Sequence, residues 1–471
     1  MTATAGASLL LASCAVGPKA PDATLPPSAS GAFIGTASPA VSTSSARDDW
    51  WRLYNDPVLD GLVGEALANN NELEAAAANL RRVRAALGEA RVGRFPSTTT
   101  SAGYTNGRPS AATLTPGTLP AGENAPEVET YTAGLDVSYE IDLFGRVEST
   151  IRAARADAAA AEAALDIVRV TVAAETARAY ADSCSANAQI AVAERTLDLQ
   201  TNTVGLTQRL LDAGSGNGLD VARARSALES TRSTLPPLRA QRDGALFRLA
   251  TLTGRTPAEA SASARACQTP PQLSQPIPVG DGAALLARRP DIRQAERNLS
   301  AAAARVNVAT ADLFPRITLG GNVGATALDA SGLGDSENLS FSVGPLISWS
   351  FPNVFAARAR IEQASAGSDA ALATFDQTVL VALQETETAL TNYANELDRR
   401  AALQSARDQA ANAARLSRLR FDAGADSFLT VLDAERTLAA ADAQLASSSA
   451  LVTTYQIALF KALAGGWVNE G

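Results

Sequence analysis

Histidine is absent from all 471 residues, so the commonest general base and the commonest metal ligand are both missing. Cysteine occurs at 14, 184 and 267 with no CxxC spacing, which removes zinc and dithiol redox motifs. An oxidising compartment would allow a Cys184–Cys267 bond; spacing alone leaves that pair open. The glycine-rich "GSGNG" at 214–218 lacks the lysine of a GxxxxGK(S/T) phosphate loop. Arg288, Arg289 and Asp291 form a charged cluster at a predicted helix start, where Asp291 behind Pro290 suits the helix dipole. That cluster reads as structural. The one covalent chemistry the sequence does suggest is at its start. Leu11-Ala12-Ser13-Cys14 closes a short apolar run, as in a lipoprotein signal (1–13) whose Cys14 is lipidated, although no Lys or Arg precedes the run. A Pro/Ser-rich tether (14–46) follows. No catalytic residue, cofactor site or metal site is nominated, and an enzyme is the weakest reading.

The elements carry more. Apolar residues make 46 % of the chain but aromatics only 5 %, which suits long, closely packed helices rather than a thick core. Net charge is −9 and the pI about 4.9, so a nucleic-acid partner is not expected. No apolar run is long enough for a transmembrane helix.

An internal repeat organises the rest. Residues 69–97 match 288–316 at an offset of 219, with Phe95-Pro96 on Phe314-Pro315. Residues 210–228 match 420–438 at an offset of 210, with Asp212-Ala213-Gly214 on Asp422-Ala423-Gly424. The nine extra residues of the first copy are assigned to a Gly/Pro/Thr-rich loop at 105–127. Repeat 1 (47–254) and repeat 2 (283–464) flank a linker at 255–282, and a tail covers 465–471. Each copy predicts a helix (57–94, 283–313) and two strands. A rod (146–212, 356–422), a tip (212–220, 422–430) and a return helix to about 253 or 463 complete it. A 67-residue helix reaches about 100 Å. Ile190, Leu197, Val204 and Leu211 recur by sevens, as do Leu438, Leu445, Val452 and Leu459, which is coiled-coil spacing. "LPPL" at 235–238 is expected to kink the first return helix.

The strands are cleanly divided. In "LSFSVGPLISWSF" (339–351), Leu339, Phe341, Val343, Ile347, Trp349 and Phe351 alternate with Ser340, Ser342, Gly344, Leu346, Ser348 and Ser350. In 131–142, Tyr131, Leu135, Val137, Tyr139 and Ile141 oppose Asp136, Ser138, Glu140 and Asp142. Strands at 97–105 and 316–325 complete four. Pro345 counts mildly against a central strand. Strands of about ten residues joined to rods of about 100 Å fit a transmembrane barrel better than a soluble sheet. The apolar side, with Tyr131, Tyr139, Phe341 and Trp349, is then lipid-facing; Asp136, Glu140, Asp142, Ser340, Ser342 and Ser348 line the pore. Four strands cannot enclose a pore, so several chains must contribute, and three would give twelve strands.

"SYEIDLFGR" (138–146), "LLARRPDIRQAE" (285–296), "FPRITL" (314–319), "GPLISWSF" (344–351) and "ALFKALAGGW" (458–467) resemble outer-membrane factors of the TolC/OprM type. The lipobox and "AVGPKAP" resemble their NodT-like efflux lipoprotein branch. The resemblance covers nearly the whole chain. It implies a mainly α, TolC-like homotrimer: a twelve-stranded β-barrel in the outer membrane of a Gram-negative bacterium above a periplasmic helical tunnel. Its partners would be a periplasmic membrane-fusion adaptor and an inner-membrane pump of the RND type. Transport through it would be passive. The resemblance also implies that the tips close the pump-facing mouth, with Asp220, Asp426 and Asp433 as acids and Arg418 and Arg420 beside them. Without it, those acids read as helix caps. Thr430 stands where some relatives carry another acid. The alternative is a periplasmic coiled-coil lipoprotein scaffold with no pore, which leaves four amphipathic strands unexplained.

Overall fold

The computed structural model describes residues 17–18, 21, 27–110, 125–273, 275–352 and 354–464. Cys14, most of the 105–127 loop and the tail at 465–471 lie outside the described residues. In chain order the elements are β1 (Val41–Ser42), α1 (Pro57–Asn69), α2 (Asn71–Val92), β2 (Ser97–Gly107), β3 (Val128–Ile141) and α3 (Arg146–Asp212). Then come α4 (Gly218–Leu252), α5 (Ala262–Ala266), β4 (Ile277–Pro278), α6 (Gly282–Arg288) and α7 (Pro290–Ala311). β5 (Arg316–Ala327), β6 (Leu339–Ser348), α8 (Val354–Asp422) and α9 (Phe428–Ala462) complete the chain.

Two helices expected to be continuous are each broken, for local reasons. The 57–94 stretch divides at Asn70, which is extended; its Oδ1 accepts the amides of Glu72 and Leu73 and so starts α2 afresh. The 283–313 stretch divides at Arg289, forced into extended geometry by Pro290 behind it. The double proline does not end its helix: α4 continues through Pro236 and Pro237. Ser233 and Thr234 hydroxyls donate to carbonyls one turn back, just before the missing amides.

The chain forms two compact units. The first takes Met1–Asp22, Arg81–Ala160 and Glu296–Thr374. It holds an antiparallel sheet in the order β2-β3-β5-β6. Beside it, Leu87, Val147, Ile151 and Ala158 make a small core, and Phe144 stacks on Phe314 at 4.6 Å between centroids.

The second unit takes Ala23–Leu80, Ala161–Ala295 and Phe375–Gly471. Its core gathers Trp50, Leu59, Leu249, Leu390 and Leu459 around Phe460, on which Trp50 stacks at 4.7 Å. Ile190, Val452 and Leu459 of the seven-residue pattern are buried. Cys184 and Cys267 are bonded, which settles the pairing that spacing left open. The Arg289 cluster ties three elements together: its guanidinium donates to Asp291, to Glu385 on α8 and to the Ala462 carbonyl at the end of α9.

Candidate functional site

In the first unit the sheet itself is the site. Register fixes which side chains share a face, because residues directly opposite across a ladder point the same way. Leu135, Val323 and Phe341 form one row; Tyr139, Leu319 and Pro345 another; Ile141, Ile317 and Ile347 a third. Thr100 and Thr98 of β2 fall on this same face, so the edge strand is its least apolar part. The opposite rows read Thr99–Asp136–Asn322–Ser342 and Ser101–Gly134–Gly324–Ser340. Ser342 Oγ and Asn322 Oδ1 lie 2.7 Å apart across β5 and β6. Two polar-face positions are apolar: Leu346, opposite Thr318, and Val128 at the start of β3, opposite Gly107.

The apolar face is bare. Phe341 is 79 % and Val343 77 % exposed in the single chain. A contiguous surface of this kind requires a partner or a lipid phase. Both edges, β2 and β6, also present unpaired backbone among the described residues. Pro345 sits on the β6 edge strand, the position in a sheet that tolerates the missing amide. Trp349 lies just past the end of β6, stacks on Phe351 at 4.8 Å and donates its Nε1–H to the Leu313 carbonyl. At the other end Tyr104 and Tyr131 pair at 5.0 Å.

The acids on this sheet are not alike. Asp136 lies within β3, on the polar face. Glu140 is also on that face, and both its oxygens receive Arg146 at the start of α3, one of them at 2.8 Å. Asp142 lies beyond the strand. Its two oxygens accept the amides of Val147 and Glu148, so it caps α3. Ser348 closes β6 opposite Arg316.

In the second unit the two helical tips share a plan. Gly214 (φ 72°) and Gly424 (φ 74°) turn the chain in the left-handed region. Ser215 and Ala425 amides then bond back to the Leu210 and Arg420 carbonyls. On the first tip Asn217 caps α4 by accepting the Asp220 amide at 2.9 Å, and its side-chain amide donates to the Asp220 carboxylate at 2.8 Å. Asp220 therefore serves a helix start.

The second tip is braced by charge. Arg420 donates to both oxygens of Asp426, at 2.7 and 3.0 Å. That hydrogen-bonded guanidinium holds the Asp426 carboxyl below the usual carboxylate range, and Arg420 is raised in turn. Arg420 lies mostly in water and Asp426 is half-buried, so the pair is worth little to folding. Deeper along the hairpin, Arg418 donates to Glu435 Oε1 at 2.9 Å while Thr203 of α3 donates to Oε2 at 3.0 Å. This node joins α3, α8 and α9 and is half-buried. The repeat-related pair, Gln208 and Arg225, bonds at 3.1 Å with the basic side chain on the other helix. Asp433 is exposed, its backbone carbonyl accepts the Thr437 hydroxyl, and among the described residues its carboxylate makes no ion pair.

Thr203 and Glu435 were not among the residues singled out from sequence. Glu435 offered one signal: it stands 210 residues after Arg225 in the repeat, with opposite charge.

The family model described as "Outer membrane efflux protein" matches residues 62–255 and 283–465. The pyoverdine export outer membrane protein OpmQ of Pseudomonas aeruginosa is 31 % identical over 92 % of this chain and 90 % of its own length. The toluene efflux pump outer membrane protein TtgF of Pseudomonas putida is 32 % identical over 92 % of this chain and 88 % of its own. The outer-membrane channel OprN superposes with a TM-score of 0.89 at 37 % identity, over 96 % of this chain and all of that one. The MtrE outer membrane channel of Neisseria gonorrhoeae, solved in its open state, gives 0.81 at 26 % identity over 96 % and 98 %. This chain belongs to the outer membrane efflux protein family: it is an outer-membrane efflux channel with a TolC-like fold.

Proposed function

We propose that the protein is the passive exit duct of a tripartite efflux system, working as a homotrimer. Three four-stranded sheets close side by side into one twelve-stranded barrel, β6 of one chain against β2 of the next. The observation that carries this is the sheet with one bare apolar face, one polar face and two open edges. An even-stranded barrel removes the edges and gives the apolar rows to lipid. Tyr131, Tyr139, Phe341 and Trp349 then face lipid, and Asp136, Glu140, Ser340, Ser342 and Ser348 face the pore. Residues 1–13 act as a signal and Cys14 as the lipid anchor. A periplasmic adaptor and an inner-membrane pump, of the RND type, deliver substrate and supply the energy, so the duct itself does no chemistry.

The tips are the periplasmic gate. Arg418 with Glu435 and Thr203 ties the two hairpins of one chain together, and Arg420 with Asp426 stiffens the second tip. Asp433, free of such bonding, supplies an acid from each chain around the axis and gives the mouth its preference for cations. Asp220 supports the gate only by starting α4. Single-channel recording in planar bilayers tests this. The wild type should show a small closed-state conductance that rises when Arg418 is replaced by alanine. An unchanged closed state in that variant contradicts the gate.

A further inference from the structure

The linker between the repeats is thinly ordered. Between the end of α4 and the start of α6 the described residues hold one 3₁₀ turn, the five-residue α5 and the two-residue β4. Such a segment has little regular hydrogen bonding to offset its conformational entropy. Yet it contributes Ala264, Ile277 and Val279 to the main core of the second unit. β1 pairs with its end, Arg265 reaches Asp243 on α4 and Thr453 of α9 donates to the Pro271 carbonyl, but its middle is held chiefly from one turn of α3. Asn187 donates to the carbonyls of Arg265 and Cys267 at 3.0 and 2.7 Å, and Cys184 is bonded to Cys267. The two cysteines are 83 residues apart. Cys184 is wholly buried.

That burial sets an order of events. No protein-sized oxidant reaches Cys184 once the linker lies over it. We propose that the chain is a substrate of a periplasmic dithiol-oxidising protein, which acts before the core closes, and that the Cys184–Cys267 bond is the clasp that keeps residues 255–282 seated. The exchange balances. One cysteine thiolate attacks the disulfide of the oxidising protein and forms a mixed disulfide, releasing one of that protein's thiolates. The second cysteine thiolate then displaces the remaining sulfur. Two protons leave the chain, and its two electrons leave with the oxidising protein as a dithiol. Once made, the bond is shielded from reductants by the same packing that made Cys184 unreachable.

The proposal does not depend on the channel closing as a trimer, and its test is separate from the trimer's. Protein from the outer-membrane fraction, unfolded without reductant, should show neither Cys184 nor Cys267 alkylated and one peptide pair joining 184 to 267. Cells lacking the periplasmic dithiol oxidase should yield chains alkylated at both positions. In those chains and in the Cys184→Ala/Cys267→Ala variant, amides of 255–282 should exchange faster by about tenfold or more, with helical circular dichroism retained. A double variant with wild-type linker protection, or free thiols at 184 and 267 in the wild type, overturns the proposal. If the double variant does not accumulate, pulse-labelling of the wild type decides. Thiols must vanish before the second unit becomes protease-resistant; resistance acquired with both thiols free overturns the order proposed.

Discussion

Asp426 and Asp433 belong to the same tip but have different surroundings, and so different predicted effects. Asp426 is bound by Arg420, whereas Asp433 is open to water. The Asp426→Ala/Asp433→Ala variant should raise closed-state leak in planar bilayers, and Asp433→Ala alone should chiefly lower cation preference, read from reversal potentials. Asn217→Ala should leave leak unchanged and lower stability by about 1 kcal/mol in thermal melts, since it removes only a cap. The Arg420–Asp426 brace carries a pH dependence with a defined sign. A carboxyl held below its unfolded value contributes above that value and loses its contribution as pH falls through the folded one. Leak should therefore be flat from neutrality to about pH 4 and rise below it, and Asp426→Asn should abolish that step. At this scale the sequence was least informative. Arg418, Arg420 and Asp426 could be named, but the partners of Arg418 lie on α3 and α9, and Glu435 and Thr203 meet only after folding. Asp142 shows the same limit: alternation placed it on the polar face, yet the strand stops one residue earlier and the carboxylate turns to α3.

The elements were far more legible, because period-two and period-seven patterns are local properties. The division into two faces read over 339–351 is the division the register makes across β3, β5 and β6 as far as Ser348, where β6 ends. A charge should consequently be tolerated on one face and not the other. Val323→Arg, in the Leu135–Phe341 row, should reduce outer-membrane yield severely, since a cation at mid-barrel on a lipid face costs about 2–4 kcal/mol. Ser342→Arg, one row away on the polar face, should assemble normally and change conductance instead. Equal yields for the two would mean the apolar face does not meet lipid. The breaks at Asn70 and Arg289 were missed because apolar spacing continues across them while the backbone does not. Arg289 is buried, and its guanidinium joins α7, α8 and α9. Arg289→Ala should lower stability by about 2 kcal/mol, less than for a fully buried pair because Glu385 remains half exposed. Denaturant melts of the detergent-solubilised protein read this directly.

For the whole molecule, the repeat and its strands identified the fold class, because a rod of about 100 Å joined to divided strands has few solutions. The number of chains is a different matter. Among the described residues one chain supplies a four-stranded sheet with an uncovered apolar face and two open edges; these features demand company without stating how much. Closure by three is the central claim, and everything proposed for the pore and its gate depends on it. The measurement that tests it most directly is the molar mass of the protein extracted from the outer-membrane fraction, corrected for bound detergent. Three chains of 48.5 kDa give about 145 kDa before any signal is removed, and a single species near that mass is the predicted result. A monomer near 48.5 kDa, or a species released without detergent, would contradict the barrel and return the apolar face to a protein partner.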